Sequence, residues 1–143
     1  MNSIKRIYYK VWIDAIKAAV KTNKDGQSSW KSMLLIIFSV SQGFNLLMIF
    51  FLIKILFNLN LDIFIHFDLF PGKMLDGFLS AFITLFLPFL LLNYFLVFYK
   101  EKYKTLMNEF NGFRMKEGLA FMLYFFASMF LFILPVIIGK TLS

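Results

Sequence analysis

The chain has no cysteine, a single histidine and three prolines among its 143 residues. Without cysteine there are no disulfides, no zinc–thiolate sites and no thiol nucleophiles. The lone histidine, His66, has no cysteine to work with. Acidic residues are also scarce, eight against fifteen Lys and Arg. No Asp, Glu, Arg or His lies deep in any of the long apolar runs. That argues against proton coupling, voltage sensing and transport of charged substrates. It also removes the Ser–base pair or aspartate pair that hydrolysis within a membrane needs. Gly139-Lys140-Thr141 lacks the upstream glycine of a phosphate-binding loop. No enzymatic activity, cofactor or metal is expected.

What the chain does have is hydrocarbon. It is 60% hydrophobic and 20% aromatic, with 21 Phe and a mean hydropathy of +0.75. Soluble domains are roughly 45–50% apolar, and a chain this short cannot hide the excess inside a water-soluble globule. Three runs stand out. Residues 33–57 carry no charge except Lys54, and residues 77–99 and 119–138 carry none. Each exceeds the ~18 residues that mark a spanning helix, and continuous runs exclude the alternation of a β-barrel. The expected fold is an all-α integral membrane protein with three transmembrane helices and an N-terminal amphipathic cytoplasmic helix. It forms a single membrane domain: helix and linker 1–32, first span 33–57, outer loop 58–76, second span 77–99, cytoplasmic loop 100–118, third span 119–138 and outer tail 139–143.

Charge sets the direction. Residues 1–32 and 100–118 together hold twelve Lys and Arg and five acids; the other side holds only Lys54, Lys73 and Lys140 with Asp62, Asp68 and Asp76. The net charge of +7 is therefore read as a positive-inside signal rather than a nucleic-acid footprint, and no nucleic-acid partner is expected. The N-terminus is expected in the cytoplasm and the C-terminus outside, in a bacterial cytoplasmic membrane. More than thirty residues precede the first run, which is too long for a cleaved signal, so it should remain as an anchor. Lys54 should snorkel to the outer interface.

Two cytoplasmic segments have helical period. Ile4, Tyr8, Val11, Ala15 and Ala18 form one stripe, with Arg6, Lys10, Asp14, Lys17 and Lys21 opposite; Ile13 fits neither. Asp25-Gly26 signals a turn, and Ser28 or Ser29 is a cap for the first span. Tyr99, Tyr103, Leu106, Phe110 and Phe113 repeat the spacing, as a helical extension of the second span. The stripes either lie on the anionic inner leaflet, with Trp12 and Trp30 at headgroup level, or pack on each other or on a partner. Lipid or mutual packing needs no further molecule and is preferred.

Residues 58–69 alternate, the pattern of a half-buried strand lying on the bilayer or pairing with another chain. Regular alternation would put Asp62, His66 and Asp68 on one face. One imidazole and two carboxylates are a weak metal set, and the plainer reading is the wet side of an interfacial segment.

The first run is interrupted by Ser39, Ser41, Gln42, Gly43 and Asn45. Ser39 and Gly43 are small residues four apart, as are Gly77 and Ala81, and Ser80 and Thr84; such pairs let helices in lipid approach closely. Counting depth from the middle of each run, at ~1.5 Å per residue, puts Gln42, Asn93 and Tyr124 in one layer. A buried polar cluster of Ser39, Gln42, Asn45, Asn93 and Tyr124 follows, with Pro88 freeing the carbonyl of Thr84 and Pro135 kinking the third span. The cluster either lines a polar path or locks helices together, and locking is the commoner use of uncharged polar residues. The expected function is accordingly a non-catalytic accessory or assembly subunit of a larger membrane complex, with lipid and a membrane protein or further copies as partners. The alternative is a homo-oligomeric pore or membrane-perturbing effector.

Overall fold

The computed structural model describes residues 2–23, 29–59, 62–112 and 118–142. The expected turn at Asp25-Gly26, the candidate cap Ser28 and the last stripe residue, Phe113, lie outside them. All regular structure among the described residues is helical. Three helices, Ser29–Phe57, Lys73–Glu109 and Leu119–Thr141, are long and apolar enough to cross a membrane. The first begins four residues before its apolar run. Its 29 residues span about 43 Å at ~1.5 Å per residue, more than the ~30 Å of a bilayer's hydrocarbon core.

A shorter helix, α1 (Ser3–Thr22), precedes the continuous α2 (Ser29–Phe57). The middle rod is assembled from pieces. Helix α3 (Lys73–Ala81) runs into a π-helical turn, Phe82–Phe86, then α4 (Leu87–Asn93) and a second π-helical turn, Tyr94–Phe98. Pro88 explains the first widening: it has no N–H, and its ring crowds the carbonyl four residues back. The Leu87 N–H reaches back five residues to the Phe82 carbonyl. The widened turn faces Gly43, where a Cβ would stand 2.9 Å from the Leu85 carbonyl oxygen. Glycine is needed there for close approach of the two backbones.

The expected smooth extension of this rod beyond Tyr99 is not found. Lys100 and Glu101 adopt left-handed backbone angles (φ 51° and 57°), and α5 (Lys102–Glu109) sets off after this break. Such a conformation costs roughly 1–2 kcal/mol per non-glycine residue. It is offset by what the break achieves: Tyr103, Leu106 and Phe110 are buried, Tyr103 with Trp12 and the other two with Ile13. The last rod, α6 (Leu119–Leu131) and α7 (Leu134–Leu142), is interrupted at Phe132–Ile133, just ahead of Pro135.

Helix α1 also departs from expectation. Residues 12–16 are all buried. At ~100° per residue, five consecutive residues cover the whole circumference, so the middle of α1 is enclosed. Trp12 stacks on Phe38 of α2 (ring centroids 3.8 Å apart, planes 12° from parallel). Ile13, off the stripe, packs on Leu106 and Phe110. Asp14, expected among the exposed charges, is 3% exposed. Trp12 is therefore packed within the chain rather than placed at headgroup level. The reason is that α5 turns back over the helix while α2 and α6 cover its other sides.

The strand expected over residues 58–69 is absent among the described residues; 62–70 are irregular. A single strand has no ladder partner, and the backbone N–H groups here go to side chains instead. Phe64 N–H donates to Asp62 Oδ1 (3.1 Å), Ile65 N–H to Thr84 Oγ1 (3.3 Å), and Leu69 and Phe70 N–H to Asp76 Oδ1 (3.1 and 3.2 Å). Ile65 and Leu69, in the apolar phase, are exposed, so the alternation does not map onto inside and outside.

Candidate functional site: a polar layer between helices

Residues three apart on a helix are offset by ~60° around its axis, so Ser39, Gln42 and Asn45 wind across α2 rather than facing one neighbour. Two groups of hydrogen bonds result. On the α4 side, Asn93 is fully buried. Its Nδ2 donates to Gln42 Oε1 (2.8 Å) and Ser39 Oγ (3.2 Å), and its Oδ1 accepts from the Tyr8 hydroxyl of α1 (2.7 Å). Burial pushes the Tyr8 phenol above its ordinary pKa. Ser39 Oγ in turn donates to the Leu35 carbonyl (2.7 Å).

On the α6 side, Asn45 Nδ2 donates to Ser128 Oγ (3.1 Å) and to the Tyr124 hydroxyl (3.3 Å), and Ser128 Oγ donates to the Tyr124 carbonyl (2.8 Å). Tyr124 thus bonds with Asn45 rather than joining Gln42 and Asn93 in one cluster. Phe38 stands by the Tyr124 ring (5.8 Å between centroids). Gln42 and Tyr124 both line a cleft of about 230 Å³, whose other walls include Ile4, Ile7 and Tyr8. The sidedness of the stripe explains the split: its lower members turn to α4 and its upper member to α6.

The remaining sequence candidates fall elsewhere. Gly43 closes on Leu85, as a small-residue contact should. A Cβ at Gly77 would touch nothing within 4 Å, and Gly77 and Ala81 both line a cavity under the 62–70 segment. His66 Nε2 lies 2.7 Å from Asp62 Oδ2 in an exposed pair. The Phe64 N–H, and then His66, hold the Asp62 carboxyl below its ordinary pKa. Asp68 is not part of that pair. Among the described residues no group of three His, Cys, Asp or Glu is placed to hold a metal.

Two structural residues escape a reading of the apolar runs. Tyr8 has only a weak signal, a phenol on an apolar stripe whose hydroxyl must find a partner once buried. Asp14 caps α6: its Oδ1 accepts from Gly118 N–H (3.1 Å) and its Oδ2 from Ala120 (2.9 Å) and Phe121 (3.3 Å). A helix begins with unsatisfied N–H groups and a partial positive charge. Gly118, at the start of α6, has no side chain to cap it, so a carboxylate 104 residues away does so. The missing local cap was visible in the sequence; the identity of its replacement was not.

The layer consists of amides, hydroxyls and phenols bonded across four helices. Its chemistry is that of a fastener: Tyr8, Asn45 and Asn93 donate to neighbouring helices, and Ser39 and Ser128 donate within their own. Comparison with protein families, curated proteins and solved structures finds no match to this chain.

Proposed function

We propose that the chain is a small, non-catalytic multi-pass membrane protein that serves as an accessory or assembly subunit of a larger membrane complex. The observation that carries this reading is the direction of its polar groups. Ser39, Gln42, Asn45, Asn93 and Tyr124 bond to one another and to Tyr8 and Ser128, while the outward surface is apolar. Only 22%, 11% and 11% of residues in the most apolar stretches of the three long helices are buried within the chain. Lipid or another membrane protein has to cover the rest. Charge supports an N-terminus in the cytoplasm and a C-terminus outside, which a pair of terminal tags probed for accessibility in spheroplasts would test.

The pore alternative needs the Ser39–Gln42–Asn45 stripe to face a lumen shared by several copies. Here it faces partners in the same chain. Mass measurement of the particle in mild detergent, with ion leak from liposomes, separates the two. The subunit reading expects no leak, and it expects Gln42→Leu to lower thermal stability by about 1–2 kcal/mol through the orphaned Asn93 amide. A conducting ring whose conductance changes with Gln42→Leu would replace it with the pore.

A further inference from the structure

Helix α3 carries Lys73, Asp76, Gly77, Ser80 and Ala81 along one side, at the i, i+3, i+4, i+7, i+8 spacing of a single helical face. That side forms a wall of a cavity of about 590 Å³, a size typical of small-molecule sites. The opposite wall is the 62–70 segment, with Phe64, Phe67 and Asp68 among its lining residues. The segment is held there by Asp76, only 7% exposed, whose Oδ1 receives both the Leu69 and Phe70 N–H groups.

Ser80 lines this cavity and is 5% exposed, yet its hydroxyl has no hydrogen-bond partner among the described residues. Only the indole N–H of Trp12, enclosed among aromatic rings, shares that condition there. The other buried helical serines behave differently. Ser39, Ser41 and Ser128 each donate to the carbonyl four residues back. A buried hydroxyl left unsatisfied costs about 1–3 kcal/mol, so Ser80 calls for a partner from outside the fold.

We propose that this cavity binds a primary organic ammonium group. Of the charged groups lining it, Asp62 is engaged by His66, which leaves the carboxylates of Asp68 and Asp76 against one cation, Lys73. The balance favours a positive ligand. The arrangement does not suit a metal ion, since no three ligating side chains among the described residues converge. Phe64 and Phe67 are among the lining residues, and aromatic rings attract organic cations. An N–H of the ammonium can donate to Ser80 Oγ, and others to the carboxylates; a quaternary ammonium has no such donors. The same chemistry is carried by free small amines and by the ethanolamine headgroup of a phospholipid.

The test is thermal unfolding of the purified full-length chain. In detergent, ethanolamine hydrochloride at 10 mM should raise Tm by about 3 °C, with choline chloride and sodium chloride at equal concentration as controls. Ser80→Ala should unfold at or above the wild-type Tm without ligand and lose at least half of the ethanolamine shift. Asp76→Asn should lose more of it, and Ser80→Ala still decides the matter if that variant does not fold. Nanodiscs of phosphatidylcholine with and without phosphatidylethanolamine separate the sources. Stabilisation by the lipid at lower concentration than by the free amine assigns the headgroup; stabilisation by the free amine alone assigns a soluble ligand. The proposal is overturned if neither probe shifts Tm, if choline chloride or sodium chloride does as well as ethanolamine, or if Ser80→Ala responds like the wild type.

Discussion

The region around α1 and the region around residues 62–70 are opposites. In the first, five consecutive residues are buried, an aromatic pair stacks, and a carboxylate ends on three backbone N–H groups. In the second, the chain is irregular, its apolar side chains Ile65, Leu69 and Phe70 are exposed, and a cavity opens beneath it. Both use a buried aspartate to hold backbone N–H groups, Asp14 in one and Asp76 in the other. The difference is what surrounds the aspartate. Asp14 is enclosed by packed helices, so its hydrogen bonds add to an existing core. Asp76 pins a segment that contributes little apolar burial, and the space beside it stays open.

Four substitutions or conditions test the contrast, from the largest effect to the smallest. Trp12→Ala should cost about 4 kcal/mol, because it empties a fully enclosed site; chemical denaturation in mixed micelles would measure it, and a loss below 1 kcal/mol would mean that α1 is not enclosed. Asp14→Ala should cost about 3 kcal/mol by stranding the first N–H groups of α6, with Asp14→Asn recovering part of the loss as a neutral cap; hydrogen exchange at Ala120 and Phe121 should rise in step. Leu69→Ala, on the exposed segment, should stay within about 0.5 kcal/mol of the wild type; a larger loss would erase the difference between the regions.

The smallest effect is in acid. The Asp62 carboxyl titrates below its ordinary value of 3.8, chiefly because it accepts the Phe64 N–H and then because of His66. A depressed carboxyl contributes its stabilisation above the unfolded pKa and loses it as pH falls through the folded one. The turn at 62–64 should therefore hold at neutral pH and loosen only below about pH 3.8, visible as faster exchange of the Phe64 amide.

These two regions also mark how far the sequence could be read. The three long helices are legible because a run of twenty apolar residues has one structural meaning in hydrocarbon. The meeting of Gln42 with Asn93 is within reach of depth counting, because helical rise is constant. Tyr8 and Asp14 were beyond it, since nothing in the order of residues says how deep α1 lies against its neighbours. The alternation at 58–69 misled because a period of two describes a strand only where a ladder partner exists. The break at Lys100–Glu101 had no signal, as neither residue favours a left-handed backbone and only the distant Trp12 and Ile13 make it worthwhile.

The carboxylate that seals α6 is made 104 residues ahead of the first group it seals. At ~5–20 residues per second, that is a wait of roughly 5–20 seconds. Until α6 arrives, α1 can rest on α2 and α5, but the Asp14 carboxylate has none of its three N–H partners. Helices α1 and α6 therefore complete each other only late in synthesis.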